Sequence, residues 1–210
     1  MTMAKLKVHE ELFSFDSELR LKYPVLCGVD EAGRGPLAGD VYADAVVLSD
    51  GVLIEGLNDS KKISEKNREI IYDMIIERAD AYCIATASVE EIDSLNILQA
   101  TMLAMQRAVA GLGMKPDYAL VDGNRLPQLE CPAEFLIKGD ARSASVAAAS
   151  ILAKVARDRY MKRIAEEYPQ YAFEKHKGYG TKLHYEMLAE HGISDVHRRT
   201  FLKKLSYDKK

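Results

Sequence analysis

The sequence predicts an α/β protein built on a mixed β-sheet, and three observations carry that prediction. Short apolar runs of strand length come first. Helix-length amphipathic segments then alternate with further short runs. A long alanine-rich segment follows. In order, residues 24–29 (PVLCGV) form the first strand-like run and residues 41–48 (VYADAVVL) the second, separated by the turn GRGPLAG. Ser64 is a natural N-cap for a helix in which Ile70, Ile71, Met74 and Ile75 recur at helical spacing. Residues 81–89 read as a strand. Residues 96–112 are amphipathic, with Ile97, Ala100, Met105 and Ala108 near one face, and they stop at Gly111 and Gly113. Residues 117–121 and 134–138 are short strands. A long helix is predicted over 143–167, ending before Pro169, with Ala149, Ala153 and Ala156 forming a small-residue stripe that would let it lie close against a sheet. More helix is expected at 181–191 and 198–205. There is no internal repeat and no low-complexity linker.

Composition narrows the function. The chain has 210 residues, 48% hydrophobic and 29% charged, as expected of a soluble globular protein. No apolar run approaches the roughly 20 residues of a membrane span, and the N-terminus lacks the basic-then-apolar order of a signal peptide. Cys27, Cys83 and Cys131 are odd in number and scattered, so reduced thiols and a cytoplasmic protein are expected. The net charge of −3 hides an asymmetry: residues 154–210 hold 14 of the 29 Lys and Arg but only 8 of the 32 Asp and Glu. This basic tail reads either as a solvated helical face or as a phosphate-contacting surface.

Chemistry is concentrated in acids at strand ends. Asp30 and Glu31 are adjacent, and neighbouring side chains in a regular strand point to opposite faces. Gly33 and Gly35 can end the strand and let both acids turn to one place. Asp122 follows the strand 117–121, and Asp140 precedes the long helix. Strand ends meet along one edge of an open α/β sheet, a usual place for a site. Any one of these acids alone is an ordinary turn or helix cap; four in one pattern point further. A pair of carboxylates at 4 Å repel by roughly 4 kcal/mol at an effective dielectric near 20. They would protonate or bind hard cations such as Mg²⁺, and two such ions support phosphoryl transfer.

The segments GVDEAGRGPLAG, LNDSKKIS, NILQATMLAMQRAV, LVDGN, IKGDARSASVAAASILAKVARDRYM, KGYGT and HRRTF occur in this order across nearly the whole chain. In these the sequence strongly resembles bacterial ribonuclease HII. The resemblance implies an RNase H-like core over residues 1–165 with a C-terminal helical extension over 166–210 packed on it, one structural domain overall. It implies cleavage of RNA in RNA–DNA hybrids and incision 5′ to a single ribonucleotide embedded in duplex DNA, by two Mg²⁺ or Mn²⁺ ions; a monomer is expected. Asp30, Glu31, Asp122 and Asp140 match the family's metal-binding acids. Gly33, Arg34 and Gly35 match the motif that grips the ribose 2′-hydroxyl, and Tyr179 matches the tyrosine that stacks on the neighbouring deoxyribose. The 2′-hydroxyl is what distinguishes RNA from DNA. On the residues alone, Arg34 is an exposed turn residue and Tyr179 a packing residue. The related ribonuclease HIII is disfavoured, because it is expected to carry an extra N-terminal domain.

The sequence departs from the family at two places. Asp40 stands where proline is usual and Asp44 where alanine is common, and their equal parity predicts one shared face. Lys61 and Lys62, in DSKK, either hold phosphates or form a solvated turn before a helix. Ser143 and Ser145 read as N-caps of the long helix. His176, His184, His191 and His197 lack metal-ligand spacing and read as surface or phosphate-neighbouring residues. Arg142, Lys177, Lys182, Arg198 and Arg199 are candidates to track a DNA backbone, which predicts weaker binding at higher salt.

Overall fold

The computed structural model describes residues 7–203. Among these the elements are α1 (Glu10–Arg20), β1 (Leu26–Ala32), β2 (Val41–Leu48), α2 (Glu65–Arg78), β3 (Ala79–Ala87), α3 (Val89–Leu95), α4 (Ile97–Ala110), β4 (Tyr118–Asp122), β5 (Ala133–Leu136), α5 (Ala144–Glu167), α6 (Phe173–His176), α7 (Lys182–His191) and α8 (Arg199–Leu202). The strands form one sheet in the order β3-β2-β1-β4-β5. β1 pairs antiparallel with β2, and β2 with β3; β1 pairs parallel with β4, and β4 with β5. The mixed sheet is as expected.

Each face of the sheet has its own core. Cys27 and Val29 of β1, with Val41, Ala43, Ala45 and Val47 of β2, meet Ala100, Ala104, Met105 and Ala108 of α4. The opposite parity, Val46 and Leu48, meets α2 and α5 through Ile71, Ile75, Ala148, Ile151 and Leu152. α5 lies very close to β1 because Gly28 has no side chain: a Cβ there would sit 2.1 Å from the backbone of Ser145. The predicted alanine stripe is inside as well, with Ala149 and Ala153 fully buried. A third cluster joins Leu37 and Ala38 of the GPLAG turn to Met161, Tyr171, Phe173, Leu188 and Leu202, so the C-terminal segment packs directly on that turn.

Several boundaries differ from the sequence reading. β1 continues through Ala32, because antiparallel pairing with β2 extends to Ala32 and Tyr42; Asp30 and Glu31 therefore lie within the strand. β3 starts two residues early, directly after α2, and Ser88 belongs to a capping box with Glu91 that opens α3. α1, α3 and the short α6 are not predicted. Ser143 caps α5, but Ser145 does not. It lies inside the helix, where its N–H and hydroxyl both donate to Asp16 of α1, at 2.8 and 2.7 Å. The helix expected at 198–205 is the short α8; residues 204 and 205 lie outside the described residues.

Candidate active site

The parallel strands β1 and β4 end side by side, and the acids cluster there. Asp30 lies on the α5 face of β1 and is 5% exposed. Its carboxylate accepts the N–H of Glu31 at 2.7 Å. Asp122 is the last residue of β4 and accepts the N–H of Gly139 at 2.6 Å. That bond ties the end of β4 to the 3₁₀ turn Gly139–Ala141, which carries Asp140 just before α5. Glu31 meets Arg34 at 3.4 Å and Asp140 meets Lys61 at 3.9 Å.

The acids feel one another. Burial pushes the Asp30 carboxyl well above the ordinary carboxylate range, and Glu31 and Asp122 push it further. Burial also raises Glu31, opposed by Arg34 and reinforced by Asp122. Asp140 is raised by burial, then by Asp59 and Asp122, against the pull of Lys61. Burial works against the charge of Lys61, yet Asp140, Asp30, Asp59 and Asp122 together raise it. Asp122 thus lies near enough to act on each of the other three acids. Among the described residues no three of them form a closed cage for an ion. Each of Glu31, Asp122 and Asp140 is turned onto an internal partner instead. The donor set is nonetheless all oxygen and strongly self-repelling, which suits a hard divalent cation that keeps much of its water.

The loop between β1 and β2 borders this cluster. Gly33 has φ +100, and a Cβ there would strike the Arg157 side chain at 2.1 Å. Gly35 lies against Tyr179: a Cβ on it would be 3.7 Å from the ring. Tyr179 is 43% exposed, and its ring lies over the Arg157 guanidinium. Lys61 projects into solvent, with 82% of its side chain exposed. Gly33, Arg34, Gly35, Lys61 and Tyr179 thus lie around the end of β1, with Arg34 meeting Glu31, Lys61 meeting Asp140 and Gly35 next to Tyr179.

Other expectations need correction. Asp40 and Asp44 are not two residues of one strand, so strand parity does not relate them. Asp40 precedes β2 and accepts the N–H of Val89 at 3.1 Å, capping the start of α3 in place of the usual proline. Asp44 lies in β2 directly across from Asp30, wholly buried, and neither carboxylate oxygen has a partner. Arg198 is no tracker of DNA: it is 0% exposed and enclosed by backbone carbonyls. Burial and the nearby Arg157 push it down to about 9, which still leaves the guanidinium charged at neutral pH.

His176, His184 and His197 are buried too, not on the surface. Their bonds fix neutral tautomers. His197 Nδ1 accepts from the Ser194 N–H at 3.0 Å, so Nε2–H donates to His184 Nε2 at 3.1 Å, whose Nδ1–H donates to the Tyr179 carbonyl at 3.0 Å. His176 accepts from the Gly178 N–H and donates to the Tyr171 carbonyl. This imidazole chain holds the loop that carries Tyr179. Burial lowers all three, His184 and His197 to about 4.

A sequence model of ribonuclease HII matches residues 27–209. The chain belongs to the ribonuclease HII family. It is 60% identical over 181 residues to ribonuclease HII 1 of Methylibium petroleiphilum, covering 86% of this chain and 91% of that one. It is likewise 60% identical over 178 residues to ribonuclease HII of Marinomonas sp., covering 84% and 89%. Its fold is similar to the crystal structure of ribonuclease H2 from Pyrococcus horikoshii, with a TM-score of 0.70 at 28% identity over 83% of this chain and 92% of that one. As a ribonuclease HII it is a type 2 ribonuclease H, a hydrolase that cleaves RNA in RNA–DNA hybrids and at ribonucleotides embedded in DNA, and it belongs to a divalent-metal-dependent family.

Proposed function

We propose that Asp30, Glu31, Asp122 and Asp140 hold two Mg²⁺ or Mn²⁺ ions beside the scissile phosphodiester, leaving 5′-phosphate and 3′-hydroxyl ends. The observation that carries this is the meeting of β1, the end of β4 and the turn Gly139–Ala141, where the Asp122 carboxylate is tied to the Gly139 N–H at 2.6 Å beside Asp140. When bound, the ions supply a more acidic water as nucleophile and offset charge on the phosphate and leaving oxygen. The protein's own residues do the positioning. Buried Asp30 is the best placed to be shared between ions, since Glu31 and Asp122 both act on it. Arg34 and Lys61 balance the acids in their absence, and Lys61, with its exposed amine, turns to a substrate phosphate.

Gly33, Arg34 and Gly35 meet the ribose 2′-hydroxyl of an RNA–DNA hybrid or a ribonucleotide-containing duplex, and Tyr179 packs on the next sugar. The adjacency of Gly35 and Tyr179 supports one continuous recognition surface. Residues 1–165 form the catalytic core and 166–210 an extension packed on it, a division supported by the cluster around Leu37, Phe173 and Leu202. We place the enzyme in the cytoplasm as a monomer; its three cysteines are free, as suits a reducing compartment.

The test is incision of a duplex carrying one ribonucleotide, with Mg²⁺, with Mn²⁺, and with EDTA followed by metal. Cleavage should be metal-dependent, and Asp30→Asn should abolish it while leaving the protein folded. A fully active Asp30→Asn enzyme in Mg²⁺ would refute the assignment.

A further inference from the structure

Arg157 and Arg198 are the largest side chains wholly shut off from solvent. Burying a guanidinium costs several kcal/mol unless its donors are satisfied. Here the partners are neutral carbonyls, and those of Arg198 all come from the loop between β1 and β2. Its NH2 donates to Gly33 O at 2.6 Å, its NH1 to Arg34 O at 3.1 Å and Pro36 O at 2.8 Å, and its Nε to Gly39 O at 2.8 Å. Arg157 takes the carbonyls of Ala38 and Asp40, and the Arg198 N–H takes that of Leu37.

The geometry of the peptide unit turns this into a statement about donors. In a planar trans peptide the C=O and the N–H point in opposite directions. The Gly33 carbonyl shares its plane with the N–H of Arg34, and the Arg34 carbonyl with the N–H of Gly35. Arg198 holds both oxygens inward, so both N–H groups point outward. Arg34 and Gly35 are exposed, and among the described residues no protein acceptor takes either N–H.

We propose that Arg198 is the positioning residue for ribose recognition: by gripping the carbonyls of Gly33 and Arg34 it aims the Arg34 and Gly35 amides at the 2′-hydroxyl oxygen of the substrate. This rests on the reading that the loop meets the ribose. Lysine keeps the charge but cannot span two peptide planes with a fixed fork.

The experiment compares dissociation constants in Ca²⁺ for a duplex with one ribonucleotide and the same duplex in all-DNA form. Wild type and Arg198→Lys are measured, with thermal midpoints alongside. Wild type should prefer the ribonucleotide duplex. Arg198→Lys should lose about tenfold toward it, the worth of one oriented hydrogen bond, and stay within about twofold toward DNA. Equal weakening toward both duplexes, or an unchanged preference in a folded variant, would overturn the proposal. If Arg198→Lys does not fold, Asp93→Ala decides. Asp93 accepts the N–H groups of Arg199 and Thr200 and so anchors the segment bearing Arg198 without touching the loop. A reduced preference there supports the proposal, and an unchanged one overturns it. A wild type that binds both duplexes equally would instead sink the reading of the loop itself.

Discussion

Replacing Asp44 with alanine should make this enzyme more stable. Asp44 is 0% exposed, both its oxygens lack a hydrogen-bond partner, and its cross-strand neighbour is another acid, Asp30. A buried polar group without a partner costs about 1–3 kcal/mol, and more if charged. Alanine removes that cost and leaves a small void, whose loss of contacts offsets about 1 kcal/mol. The net gain should be about 1 kcal/mol while the carboxyl is protonated, or about 2–4 °C in Tm for a chain of this length, and more where it must hold its proton against the bulk pH. The gain should also depend on pH. Burial, then Asp30, holds the Asp44 carboxyl well above the ordinary range in the folded state. The folded protein therefore keeps a proton that the unfolded chain gives up. The Asp44 contribution to wild-type stability must fall as pH rises from the ordinary carboxylate range toward the raised folded value. The advantage of alanine should grow across the same window and be small at pH 4. Thermal unfolding at pH 4, 6 and 8 measures this directly. Asp44→Asn should recover the pH-dependent part, since an amide needs no proton to stay neutral, but not the cost of a buried unpartnered polar group. An alanine variant that melts at or below wild type at pH 8 would show that Asp44 has a partner or function that this reasoning misses.

Three further outcomes are expected. His184 and His197 are held near 4 in the folded state against an ordinary 6.5, so the unfolded chain binds more protons between those values. Their contribution to stability should be lost as pH falls from about 6.5 toward 4, by on the order of 3 kcal/mol per histidine; urea titrations of the Asp44→Ala variant, free of that opposing carboxyl, that show no loss over the range would contradict the neutral imidazole chain. Substrate binding should weaken with salt, and Lys61→Ala should lower the slope of log K against log salt by about one if Lys61 meets a phosphate. Gly33→Ala should be strongly destabilised or fail to fold, because a Cβ would meet the Arg157 side chain at 2.1 Å at a backbone φ of +100; a well-folded variant would show that the loop can reshape.

The sheet was legible because its strands are runs of apolar residues, and the acids because they interrupt those runs. Of the helices missed, α1 and α3 carry no such contrast. α1 buries Asp16 and Arg20 beside Leu12 and Phe13, so its inner face looks polar. Asp16 earns that place by accepting two bonds from Ser145, 129 residues away, a pairing no local pattern announces. α3 buries only Ile92, and its cap, Ser88, sits at the end of the preceding strand run.

The acids were picked out by local signals, and the role of Arg198 was not. An acid in or next to an apolar strand run draws its meaning from that strand, which is local. An arginine in a basic tail looks like one more phosphate contact until the fold shows carbonyls converging on it from residues 33 to 39. The two roles are connected, since both serve the same loop edge. The acids repel one another and need cations from outside, whereas the loop carbonyls present only partial charge and are held by a cation from within. An enzyme that must admit metal and substrate yet keep its recognition loop rigid can satisfy both demands this way, with its exchangeable charges at the sheet edge and its fixed charge buried behind the loop.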